Sequence, residues 1–246
     1  MVTAMPVRGI RARSGRTDLI PFGDFPSANC GPRRGGVLPS LIVLHYTAMP
    51  SAEAARLRLC DPGTEVSAHY LIDEAGRIEA LVPEELRAWH AGAGAWGALR
   101  DVNSHSIGIE LANDGQSPFA ARQMVALGGL LGDVRARWGI PAERVIGHSD
   151  MAPGRKADPG ARFDWRGLAL ARQAVWPDTR SAEADPDAFL AAACAFGYPR
   201  LAPDLILAAF RLRFRPGVAG PLDGVDTGMA IDLAARFPVD ASARDA

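Results

Sequence analysis

Cysteine is scarce in this chain. Its three residues (Cys30, Cys60 and Cys194) are odd in number, far apart and without a CxxC pair. That pattern excludes a disulfide framework and a cysteine-based zinc site, and leaves reduced or buried thiols. Charge of one sign is also lacking. A formal net charge of −1 gives no electrostatic basis for binding nucleic acid or an anionic membrane. No apolar run approaches the roughly 18 residues of a membrane span. The start, Met1 to Arg11, contains no continuous apolar core of the kind a signal peptide needs. A cytoplasmic protein is the expectation, or a periplasmic or cell-envelope one if the true start codon lies upstream. Nothing in the sequence points to a protein partner.

What is present is ordinary in bulk and specific in detail. Hydrophobic residues at 48% and charged residues at 22% suit a globular protein of one large domain, or one plus a small second one. The most informative stretch runs from Val145 to Gly160. It carries His148, Lys156 and Asp158 among Pro153, Pro159, Gly154 and Gly160. Two prolines and two glycines disfavour a regular helix or central strand, which predicts a loop of fixed shape able to aim His148 and Asp158 at one ion.

Taken in order, residues 1–36 are rich in Arg, Pro and Gly and read as an irregular arm packed across the main domain. Leu41 to Thr47 is short and apolar enough for a buried strand, with His45 on the face of Leu41 and Val43. Ser51 caps a helix from Ala52 to Leu59, with Glu53 in its first turn. Ser67 to Val82 reads as a hairpin turning at Glu74 to Gly76. Trp89 to Gly97 is a loop of small spacers with His90, Trp89 and Trp96, suited either to a sugar or peptide or to packing on the core. Ser106 to Asn113 is a strand with Ile107, Ile109 and Leu111 on one side and Gly108 and Glu110 on the other. A carboxylate there needs a cation, a proton-transfer role or a solvated face.

Ser117 and Pro118 announce the longest helix, through Trp138, with Leu127, Leu130, Leu131, Val134 and Trp138 in one apolar stripe and Gly139 ending it. Arg144 to Gly147 gives a short strand, and Asp164 caps a helix through Gln173. Residues 177–185 are polar and read as a linker. Beyond it, Pro186 to Phe196, Pro203 to Phe214 and Thr227 to Phe237 form three helical patterns. Together they make a module of about 60 residues, near the lower size limit for an independent core. The expected fold class is therefore α/β: a mixed β-sheet flanked by helices over residues 37–176, followed by a small three-helix domain over residues 186–240.

Two histidines and an aspartate suit a catalytic zinc site, because three protein ligands leave a fourth position open. His45, His148 and Asp158 are one such set. His69, His90 and His105 compete for the same role, and spacing alone does not exclude them.

The motifs His45-Tyr46-Thr47, Ser67-Ala68-His69-Tyr70, Trp89-His90-Ala91-Gly92, Ser106-Ile107-Gly108-Ile109-Glu110 and Gly147-His148 through Asp158-Pro159-Gly160 occur in this order. They closely resemble the type-2 family of zinc-dependent N-acetylmuramoyl-L-alanine amidases, a group that includes T7-like phage lysozymes and peptidoglycan recognition proteins. The resemblance covers roughly residues 38–175. The tail, with Ala209 to Pro216 and Asp223 to Thr227, looks more loosely like a peptidoglycan-binding module, a pairing similar to one branch of the family.

The resemblance implies one Zn2+ held by His45, His148 and Asp158. It implies Glu110 as the residue that takes a proton from the attacking water and gives one to the departing amine, and Lys156 as the cation that stabilises the oxyanion. Tyr46 points away from His45 and reads as packing. His69 matches no ligand, and its expected roles are backing the site, a structural position or a substrate contact. His90, Trp96, Asn113 and Arg155 are candidates for lining the substrate groove. The implied substrate is peptidoglycan or a muropeptide, cut at the amide between N-acetylmuramic acid, plain or 1,6-anhydro, and L-alanine. The rival readings are a non-catalytic peptidoglycan receptor and a zinc peptidase acting within stem peptides.

Overall fold

Strand β2 (Leu41–Tyr46) lies inside a five-stranded sheet with every residue but the last buried. The computed structural model describes residues 26–239, so most of the arm read over residues 1–36 lies outside the described residues. Of its remainder, strand β1 (Cys30–Pro32) pairs antiparallel with β5 (Leu86–Ala88) as a separate two-stranded ribbon. The main sheet has the order β4 (Ile78–Ala80), β3 (Tyr70–Ile72), β6 (Ser106–Leu111), β2, β7 (Val145–Gly147). The β3–β4 hairpin is antiparallel, and β6 runs parallel to both β3 and β2, as does β7 to β2. The expected mixed sheet is the observed one.

Alternation along β2 and β6 divides the core in two. Ile42, Leu44, Ile107, Ile109 and Leu111 pack with Leu127, Leu130, Leu131 and Val134 of α3 (Ala121–Trp138). Leu41, Val43 and Ile146 point to the opposite face. There they join a cluster that also contains Phe189, Phe196, Ile206, Phe210, Phe214, Met229 and Leu233. Those last residues come from α6 (Pro186–Phe196), α7 (Pro203–Phe214) and α8 (Gly224–Arg236), so the C-terminal bundle and the sheet share one continuous apolar core. Removing apolar surface from water is what fixes the bundle against the sheet. Residues 177–185 form no regular element and run beside α8, with Asp178 N donating to Asp232 and Ala182 N to the Gly224 carbonyl.

Local signals explain most of the helix ends. Ser51 accepts from Ala54 N at the start of α1 (Ala52–Cys60), and Asp185 caps α6 through Asp187 N and Ala188 N. Gly139 ends α3 in the left-handed region at φ 68°, where glycine meets no side-chain penalty. Some elements differ from the pattern reading. Helix α3 begins at Ala121, not Pro118, because Asp114 draws Ser117 N and its hydroxyl into a preceding turn. Helix α5 (Trp165–Leu170) stops short of Gln173, and α8 starts a turn early because Asp223 is its cap. The Val145–Gly160 stretch, read as pure loop, contains one helical turn, α4 (His148–Met151). A further short turn, α2 (Val102–His105), precedes β6.

Candidate metal and catalytic site

The register of the sheet builds the site. His45 of β2 is paired with Glu110 of β6 in parallel alignment, so their side chains leave the same face side by side near the carboxyl ends of both strands. His148 follows β7, the other neighbour of β2, and begins α4. Asp158 returns from the Pro- and Gly-rich loop, where Ser149 N donates to its carbonyl.

Three donor atoms converge. Asp158 Oδ2 lies 2.9 Å from His45 Nδ1 and 3.0 Å from His148 Nδ1, and the two nitrogens are 2.9 Å apart. No other set of three His, Cys, Asp or Glu side chains converges in this way among the described residues.

The hydrogen bonds behind the rings decide which lone pairs are free. The Ser106 hydroxyl donates to the Val102 carbonyl at 2.6 Å, so its oxygen can accept the Nε2–H of His90 at 3.1 Å. His90 Nδ1 is then an acceptor for His45 Nε2–H at 3.0 Å, which leaves the His45 Nδ1 lone pair pointing into the site. His148 donates its Nε2–H to the Ala91 carbonyl at 2.8 Å, with the same consequence. A carboxylate and two imidazoles whose Nδ1 atoms face into the site form a donor set suited to a divalent ion, and the outer hydrogen bonds are those that usually orient such ligands.

Electrostatics agree. Burial and the neighbouring His148 push His45 down to about 4, against the opposing pull of Asp158, so the ring is neutral at physiological pH. Burial alone would raise Asp158, but the pull of the adjoining His148 and His45 rings outweighs it and holds the carboxyl far below its ordinary range. Glu110 is the opposite case. Burial, and then the Asp158 charge, push it well above the usual glutamate value, with Lys156 pulling it back. Its Oε2 is shut off from solvent and has no hydrogen-bond partner.

His45, Glu110, His148, Lys156 and Asp158 all line one groove of about 410 Å3, with Tyr46, Arg58, Trp89, His90 and Arg155 around them. A larger cavity of about 650 Å3 lies in the C-terminal bundle, walled mostly by apolar side chains such as Phe189, Leu207 and Leu222. Asp204 and Arg211 also line this larger cavity, but the converging donors and Glu110 belong to the smaller groove.

The other candidate residues separate into two groups. Arg155 lines the groove and donates to the Ala91 and Ala93 carbonyls, and His90 lines it while backing His45. Trp96 does not reach the groove. It is fully buried and packs edge-on against Phe196 and Tyr198, because the C-terminal bundle covers it. His69 is also fully buried, fixed by Arg33, the Leu86 carbonyl and Gly108 N, and burial with the Arg33 charge lowers it to about 3. Asn113 spends its side chain on a turn with Gly115 and Ser117. None of the three lines the groove, where Trp96 and Asn113 were expected, and His69 holds a structural position, one of the roles expected of it. His105, the remaining rival ligand, sits outside the converging set in α2.

Several supporting residues had no sequence signal. Asn103 Oδ1 accepts from both His90 N and Ala91 N and so shapes the loop whose carbonyl orients His148. Asp150 holds Gly147 N at 2.8 Å. Only Gly108 carried a hint: a Cβ there would lie 2.4 Å from the His90 ring.

Comparison with known proteins gives a consistent picture. The family model described as N-acetylmuramoyl-L-alanine amidase matches residues 35–161. The N-acetylmuramoyl-L-alanine amidase AmiD of Escherichia coli is 35% identical over 235 residues, covering 81% of this chain and 84% of its own. The 1,6-anhydro-N-acetylmuramyl-L-alanine amidase AmpD of Enterobacter cloacae is 32% identical, covering 60% of this chain and 88% of its own. Among solved structures, E. coli AmiD in complex with the substrate anhydro-N-acetylmuramic acid-L-Ala-D-gamma-Glu-L-Lys superposes with a TM-score of 0.74 at 33% identity, over 82% of this chain and 92% of that one. AmpDh3 of Pseudomonas aeruginosa also gives 0.74, at 29% identity over 94% of this chain and 99% of its own.

Proposed function

This chain belongs to the N-acetylmuramoyl-L-alanine amidase family, and from that premise we propose that residues 37–176 hydrolyse the amide between N-acetylmuramic acid and L-alanine of peptidoglycan fragments, with His45, His148 and Asp158 holding a zinc ion. The observation that carries the reading is the convergence of those three donors beside Glu110, a half-buried residue whose Oε2 is shielded from solvent and unpartnered. The donor set of two nitrogens and one oxygen suits zinc and leaves room for a fourth ligand. When bound, zinc supplies a water of pKa near 7 and polarises a carbonyl.

The chain's own residues do the rest. Glu110, ionised for attack, takes one proton from water as the oxygen adds to the lactyl carbonyl carbon. Lys156 offsets the negative charge that develops on the carbonyl oxygen. The carbon–nitrogen bond then breaks and Glu110 returns the proton to the alanine nitrogen, giving a muramic acid carboxylate and a free peptide amine. The upward shift that burial imposes on Glu110 favours its keeping the proton between the two halves. Arg155 and His90 are the proposed substrate contacts at the groove wall.

The likeness of the tail to peptidoglycan-binding modules supports a second role for residues 186–240, with the apolar cavity between α6 and α7 as the candidate contact surface. No helix among the described residues is long and apolar enough to cross a membrane.

The deciding experiment is mass spectrometry of products from purified anhydromuropeptides and from intact sacculi, with and without a chelator. Free stem peptide and peptide-free sugar, lost on chelation and restored by zinc, are the expected products. Cleavage within the stem peptide, or binding without cleavage, would overturn the reading. The preferred substrate separates recycling of soluble fragments from turnover of polymeric wall.

A further inference from the structure

The turn that presents His148 is too short to hold itself. Strand β7 has three residues and α4 has four, below the length at which a helix is stable alone. Asp150, two residues after His148 and 0% exposed, closes the turn by accepting Gly147 N on Oδ2. Its remaining partners come from the C-terminal bundle. Arg213 of α7 donates from Nη1 to Asp150 Oδ2 at 2.8 Å and from Nη2 to the Val145 carbonyl at 3.1 Å, so one guanidinium grips the chain on both sides of His148. The Tyr198 hydroxyl, just after α6, donates to Asp150 Oδ1 at 2.6 Å. Arg213 is stacked 4.3 Å over Trp165 and 4.8 Å over Phe214. Arg213 and Tyr198 are 1% and 2% exposed.

A buried ion pair is a poor source of stability, since apolar side chains of the same volume commonly do as well; fixing geometry is a better account of this one. Burial and the Asp150 charge keep Tyr198 protonated, hence a permanent donor. The same bundle also packs Phe196 and Tyr198 on Trp96, next to Ala95, whose N–H donates to the Met151 carbonyl at the end of α4.

We propose that Arg213 and Tyr198 are positioning residues of the metal site: acting through Asp150, the C-terminal bundle sets the aim of His148. The bundle is then part of the catalytic apparatus even though none of its side chains reaches the groove. The proposal rests on the metal reading given above. The test is zinc affinity, by competition with a chromophoric chelator, and the visible spectrum of the cobalt-substituted protein, neither of which depends on turnover. Tyr198→Phe keeps the ring and the fold and is expected to weaken zinc about ten-fold. Arg213→Met combined with Asp150→Asn removes both charges together, which avoids an unpaired buried charge, and is expected to weaken zinc about ten- to a hundred-fold and to shift the cobalt bands. Should the double variant fail to fold, Tyr198→Phe alone decides. Wild-type zinc affinity and an unchanged cobalt spectrum in the folded variants, however far their melting temperatures fall, would leave the cluster purely structural and overturn the proposal. A wild-type protein that binds no metal would instead overturn the metal reading itself.

Discussion

Gly108→Ala tests the hydrogen-bonded support of His45 with the smallest change the chain allows. The added Cβ would lie 2.4 Å from His90 Cγ, 2.5 Å from Cδ2 and 2.6 Å from Nδ1, all far inside contact distance. The imidazole must retreat by about 1 Å to restore ordinary contact. It cannot do so for free. His90 Nδ1 is 3.0 Å from His45 Nε2, its Nε2 is 3.1 Å from Ser106 Oγ, and its backbone N is tied to Asn103. A shift of that size carries both ring contacts beyond hydrogen-bond range. Overpacking of this kind costs about 1–3 kcal/mol, or several degrees of melting temperature in a chain of this size. Losing the partner that fixes His45 should weaken metal about ten- to a hundred-fold. Gly129→Ala is the matched control, since a Cβ at this exposed position of α3 meets nothing within 4 Å. It should stabilise the protein by up to about 1 kcal/mol and leave metal binding alone. Thermal melts and chelator competition on the pair decide. A Gly108→Ala protein with wild-type metal affinity would show that the His90–Ser106 chain does not hold His45.

Three more predictions follow from other parts of the molecule. In metal-free protein the Glu110 pKa is raised, so the folded state holds this proton more tightly than the unfolded chain does. Stability should therefore fall as pH rises from the ordinary glutamate value of about 4.3 through the folded value. Glu110→Gln should flatten that decline in urea titrations and abolish turnover; an unchanged slope would mean that Glu110 ionises freely in the fold. Trp96→Phe removes a fully buried indole N–H that has no partner, and this gain offsets part of the lost packing. It should cost under about 1.5 kcal/mol in denaturant unfolding, against about 3–5 for Trp96→Ala, and equal costs would refute the offset. Asp223 caps α8 and is held down at about 2 by its Arg215 partner, so its contribution is present above pH 3.8 and is lost as pH falls through 2. Asp223→Ala should lower stability by about 1 kcal/mol at neutral pH and show a shallower acid transition over that window.

Much of this arrangement is legible in the sequence, for reasons that are local. Alternation along Leu41 to Tyr46 and Ser106 to Leu111 already assigns His45 and Glu110 to the face opposite the isoleucines, and Asp185-Pro186 marks the first residue of α6. Local signals mislead where a neighbour competes for the same group. Ser117-Pro118 has the form of a helix start, yet Asp114 claims Ser117. They are silent where the partner is distant in the chain. Trp96 in a glycine-rich loop looks like a ligand platform, and only contact with Gly197, Phe196 and Tyr198 turns it into core. Asp150, buried between Tyr198 and Arg213, is unreadable for the same reason. Tertiary partners that distant in the chain leave no periodicity.

The bond from His148 Nε2 to the Ala91 carbonyl has a consequence for how this protein tolerates change. A main-chain oxygen is supplied by whatever residue stands there, so exchanging side chains at position 91 for others of similar size leaves the contact in place. A substitution scan would pass over it. Inserting or deleting a single residue between Trp89 and Gly97 slides the oxygen out of reach while altering almost nothing in composition. Sensitivity in this loop thus resides in its length more than in its letters, and insertions and deletions are the changes that would reveal it.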